Sequence, residues 1–166
     1  VLLNPKNCSA RDLSLLDAVV VGVRAANVHK IEWLELEKKL LEFAASGKTV
    51  VVQYQTTADL PTSFLAPLNF KLSRNRMTQE ERPVNTLAPQ HPAVLFPYRL
   101  NDATWSGWVQ ERSLYHGQAE RSISILSGAD DSERPQTGLL ECIPWGRGTV
   151  VYTGLSLFRQ WPAGVP

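Results

Sequence analysis

Cysteine is scarce: Cys8 and Cys142 are the two in 166 residues, and most of the chain lies between them. That spacing excludes a cysteine-rich metal cluster and a disulfide framework as the organising device. An excess of either charge is also missing. Seventeen Lys and Arg stand against 16 Asp and Glu, a net charge of +1, so no long-range field steers the chain to nucleic acid or an acidic membrane surface. No apolar run approaches the ~18 residues of a membrane span, and the N-terminus lacks a basic-then-apolar signal pattern. Met77 is the one methionine and the chain opens on Val1, so the sequence reads as a piece of something longer; its compartment stays open. Repeats and low-complexity segments are absent. What remains, at 43% apolar and 20% charged residues, is the composition of one globular domain with a real core.

The clearest pattern lies near the start. Asp17 to Val23 is a β-branched run suited to a strand buried on both faces, and Arg24 to His29 follows as a loop. Trp33, Leu36, Leu40 and Phe43 recur at helical spacing, with Gly47 placed for a left-handed C-terminal cap. Thr49 to Tyr54 reads as a second buried strand. Strand, helix, strand predicts a right-handed βαβ unit with parallel strands. Val1–Asn4 suggests the tail of an earlier strand, and Ser9–Leu13 a short connector. Between Thr56 and Pro92 five prolines interrupt the pattern, giving an excursion with one edge strand. Ser122 to Leu126 alternates like a strand. The segments 138–145 and 149–153 flank Gly146-Arg147-Gly148 as a hairpin, with Pro144 demanding an edge.

Chemistry is mostly excluded. His29, His91 and His116 are isolated, so no metal site is expected, and His91-Pro92 reads as a turn. A nucleophile elbow would fall just past the second strand. The chain there reads Gln53-Tyr54-Gln55-Thr56-Thr57, with no Gly-x-Ser/Cys-x-Gly frame. Cys142 lies inside a hairpin strand and is expected to pack rather than react. A phosphate-cradling glycine loop is missing too. Ligands of open parallel sheets bind beyond the carboxyl ends of the strands, which makes Arg24, Asn27, Gln53, Tyr54 and Gln55 binding candidates. There Arg24 could hold a carboxylate or a sugar hydroxyl, against an internal ion pair for Arg24 and a turn-shaping role for Asn27. Trp105, Trp108, Glu111, Arg112 and Tyr115 crowd two indoles, a phenol and an ion-pairing couple into one stretch, which suits either a sugar-stacking surface or core packing.

Four segments together, Asp12–Asn27, Gln53–Thr56, Trp108–Tyr115 and Tyr152–Gln160 with Pro162–Pro166, resemble the C-terminal region of large LmbE/PIG-L-type deacetylases. The resemblance spans nearly the entire chain. It implies a class I glutamine amidotransferase-like domain: a flavodoxin-like α/β fold, mostly parallel, with helices on both faces and a C-terminal β-hairpin. It also implies trimming at both ends, a first strand and helix before Val1 and a final helix after Pro166. The partner would be a zinc-dependent N-deacetylase domain of the same polypeptide. Neither family's chemistry carries over: His91-Pro92-Ala93-Val94 is not a His-Pro-Asp-Asp zinc run, and the elbow holds no cysteine.

The leading expectation is therefore a non-catalytic accessory domain, without cofactor, that packs on or presents substrate to the deacetylase. Its bare sheet edge would pair with another copy or be covered. A second reading is a carbohydrate-binding module in which Tyr54, Trp105, Trp108 and Tyr115 stack on a glycan while Arg24, Asn27 and Glu111 bind its hydroxyls. A third is a hydrolase pairing Glu111 or Glu141 with a histidine. Nucleic acid and membrane are not expected partners.

Overall fold

The computed structural model describes residues 1–165. Helix α1 (Ala10–Ser14) is held by a reciprocal capping box between Ser9 and Asp12 and leads into strand β1 (Ala18–Val21). A single turn, α2 (Ala25–Val28), precedes the one long helix, α3 (Lys30–Ala45). The buried side of α3 carries Trp33, Leu40, Leu41 and Ala44, the stripe that the sequence spacing defines. Gly47 ends the helix at φ +107°, its N–H donating to Ala44 O, a backbone state that a side chain would strain. Strand β2 (Thr49–Gln53) then runs parallel to β1, Val20 facing Val51.

From here the chain departs from the sequence expectation. Strands β3 (Lys71–Leu72), β4 (Arg76–Met77) and β5 (Asn85–Thr86) are two-residue pieces, and α4 (Pro92–Leu95) is one turn. Two more short pieces, β6 (Ser113–Leu114) and β7 (Gly117–Gln118), pair with β4 and β3 as separate ribbons. Strands β8 (Ile123–Gly128), β9 (Gln136–Trp145) and β10 (Gly148–Thr153) complete the main sheet, and α5 (Leu157–Gln160) follows.

The sheet order is β1-β2-β10-β9-β8-β5. Only β1–β2 and β2–β10 are parallel; β10–β9, β9–β8 and β8–β5 are antiparallel. A mostly parallel, flavodoxin-like sheet with helices on both faces is thus overturned by a mixed sheet with one helix longer than five residues. The reason is local. A parallel crossover needs a dozen or more residues, as a rule helical, and Pro61, Pro67, Pro83, Pro89 and Pro92 deny the segment after β2 any helix of that length. Pro144 disturbs nothing, because it lies past Cys142, the last β9 residue on that side to pair with β8.

Alternating side chains divide the core in two. Val150, Tyr152 and Ile143 point to the α3 side and join Trp33, Phe64 and Phe70. Val151, Cys142 and Leu140 point the other way, to Met77, Trp105, Trp108 and Leu155. The second layer does not reach β1. Val20 is 61% exposed there, and its neighbours across the sheet, Val51 and Val151, are half-buried.

Candidate functional site

The rim beyond β1 and β2 is closed by the chain's own amides. Gln55 is fully buried. Its Nε2 donates to Gly22 O at 3.1 Å and Gln53 O at 2.8 Å, and its Oε1 accepts from Ala26 N at 2.9 Å. Asn27 is equally committed: Nδ2 donates to Thr56 O and Ala58 O, both at 2.9 Å, while Oδ1 accepts from Thr56 N at 3.0 Å. Together they stitch the loop after β1 to the loop after β2, and neither has a side-chain N–H left to donate to a ligand.

Above them lies an aromatic stack. Tyr54 is buried against Tyr115, ring centroids 5.9 Å apart and planes within 4°, and tilts on Phe158 at 5.3 Å. Burial pushes its phenol pKa upward, against the pull of the Arg24 and Arg159 cations. Glu111 accepts from Arg159 Nε at 2.7 Å, and the guanidinium lies over the Phe158 ring. Arg24 is exposed and left-handed at φ 56°, its N–H donating to Tyr54 O; it has no carboxylate within 4.0 Å among the described residues. Gln53 is half-buried at the end of β2.

Trp108 and Arg112 sit elsewhere. They join Trp105, the two indoles 5.1 Å apart and the Arg112 guanidinium 5.7 Å from the Trp108 ring. The nine candidates therefore divide into a rim group (Arg24, Asn27, Gln53, Tyr54, Gln55, Glu111, Tyr115) and an indole–guanidinium group. The second borders a cavity of about 290 Å³ with Glu80, Glu81 and Asp102.

Two polar sites escaped the sequence reading, and a third, Glu141, is placed differently from the catalytic role weighed for it. Ser113 Oγ and His116 Nε2 are 2.7 Å apart, a hydroxyl and an imidazole in nucleophile–base contact, but both side chains are buried and neither borders a cavity described for this fold. Desolvation drives the imidazole pKa down to about 4, so it is neutral at physiological pH. Ser-x-x-His spacing was the available signal; the seal over it was not. Glu37 on α3 accepts from Leu65 N at 3.0 Å and from Trp33 Nε1, pinning the segment after β2 to the helix. Glu141 on β9 is fully buried, and desolvation raises its pKa against the lowering pull of Ser122, Ser124 and the Gly138 backbone. Among the described residues the sole histidine–carboxylate contact is His29 with Glu32 at 4.0 Å, so neither Glu111 nor Glu141 has an imidazole in reach. No group of three His, Cys, Asp or Glu among them could hold a metal ion.

No family model matches the chain, and neither does any curated protein. Among solved structures it is similar to a GH42 β-galactosidase, Gan42B from G. stearothermophilus, with TM-score 0.54 and 16% identity, over 92% of this chain and 21% of that one. A cold-adapted β-galactosidase from Rahnella sp. R3 gives TM-score 0.50 at 14% identity, covering 90% of this chain and 23% of the enzyme. A cytoplasmic protein from Salmonella typhimurium LT2 gives 0.54 at 13% identity, covering 95% and 68%. The likeness is one of fold. The chain spans about a fifth of the first galactosidases it matches.

Proposed function

We propose that this chain is a non-catalytic accessory domain of a larger enzyme. The observation that carries the reading is the closed rim. Where an open α/β sheet would present a ligand crevice, Gln55 and Asn27 are spent on backbone groups and Tyr54 lies under Tyr115 and Phe158. Among the described residues no thiol or hydroxyl stands beside an imidazole there, and the pair that exists elsewhere, Ser113 with His116, is sealed. A match to a fifth of much longer glycosidase chains supports a subordinate role beside a catalytic portion. The sequence resemblance makes that portion a zinc-dependent N-deacetylase, and the exposed β1 edge gives the domain a surface on which to pack.

The test is enzymatic. The isolated chain is expected to leave glutamine and p-nitrophenyl acetate unhydrolysed above the buffer rate. Turnover abolished by Ser113→Ala or Tyr54→Phe, in variants with unchanged circular dichroism, would overturn the proposal.

A further inference from the structure

Arg112 is 5% exposed, yet no carboxylate lies within 4.0 Å of it among the described residues. Its Nε donates to Arg82 O at 3.2 Å and its Nη1 to Trp105 O at 2.6 Å, whereas Nη2 has no partner among the described residues. A guanidinium carries five N–H groups, and leaving several unmade in a desolvated place is costly. Nη2 is not fully enclosed, because Arg112 borders the cavity of about 290 Å³ whose walls are Trp105 and Trp108. Glu80, Glu81 and Asp102 also line it, and the first two steady the Arg112 charge from a distance.

Each part restricts the occupant. Three carboxylates among the lining residues disfavour an anion, and the Arg112 guanidinium, a donor only, calls for an oxygen acceptor. What satisfies both is an uncharged molecule with oxygen acceptors for Nη2 and hydroxyl donors for the carboxylates. The indoles are 7% exposed, so they offer an apolar wall for C–H groups rather than a broad stacking platform. The volume is at the small end of ligand pockets, which run from ~300 Å³ upward, and suits one ring rather than a chain of them. We infer that the Trp105–Trp108–Arg112 cavity binds a single neutral polyol ring, such as a pyranose or cyclitol unit. This site is separate from the closed rim and does not depend on the accessory role.

The test is a titration of the ¹⁵N-labelled chain with methyl β-galactopyranoside and myo-inositol, with glucuronate and inorganic phosphate as anionic probes. Saturable shifts of the Trp105 and Trp108 indole N–H resonances are expected with the neutral polyols, and weaker or absent ones with the anions. Asp102→Asn, at an exposed position, is expected to keep the fold and weaken binding about tenfold; Arg112→Lys should abolish it. Indoles unmoved by either neutral polyol, anions that bind more tightly, or unchanged affinity in Asp102→Asn would each overturn the inference. Such a result would leave the enzymatic test of the accessory role unaffected.

Discussion

His116 is the residue whose titration should be seen in the stability of the whole chain. Its imidazole is neutral and buried, and its pKa falls from an ordinary 6.5 to about 4 in the fold. The unfolded chain binds the proton more readily, so stability is lost as pH falls from about 6.5 towards 4, by about 3 kcal/mol at most. Urea unfolding between pH 7 and pH 4 should show this loss, and His116→Gln should flatten it. Glu141 works in the opposite sense. Its raised pKa means that its contribution is present below the ordinary glutamate value and lost as pH rises through the raised one. The Ser113–His116 contact was legible only as a spacing. Burial of both partners depends on β6 and β7, two-residue strands with too few positions to show a period.

Among the elements, α3 carries the most. It covers one face of the sheet and, through Glu37, holds the otherwise irregular stretch around Leu65. Glu37→Ala would strand the Leu65 amide and the Trp33 indole N–H in a dry place, at a cost of about 2–3 kcal/mol. Limited proteolysis should then cut between residues 60 and 70 well before the rest of the chain. Helix α3 was readable through its period and strands β1 and β2 through their β-branched runs, although β1, expected to be buried on both faces, is an edge strand with Val20 exposed on one. Trp108 and Tyr115 were less readable. They are close in sequence and belong to different clusters, since Tyr115 adopts a left-handed φ of 52° and turns its ring towards Tyr54. No local pattern announces such a reversal. The proline-rich excursion was seen as an interruption, but its result, a switch from parallel to antiparallel pairing, is a property of the whole sheet.

For the whole molecule, the weakly protected part is the β1 side. Ala18–Val21 is an edge strand without proline or charge, and Val20 stands 61% exposed on a face that no helix covers. Sedimentation velocity is expected to show the isolated chain associating as its concentration rises. Val20→Lys should hold it monomeric with little change in unfolding midpoint, since the side chain is largely outside the core.

Strand β10 sits between β2 and β9, so the third strand of the parallel trio is synthesised long after β1 and β2. Until Gly148–Thr153 emerges, β1 and β2 have helix α3 on one side and nothing to seat against along β2's inner edge. The sheet therefore stays half-built while the whole stretch from β3 to β9 is made, which makes that interval the time of greatest exposure to chaperones and proteases.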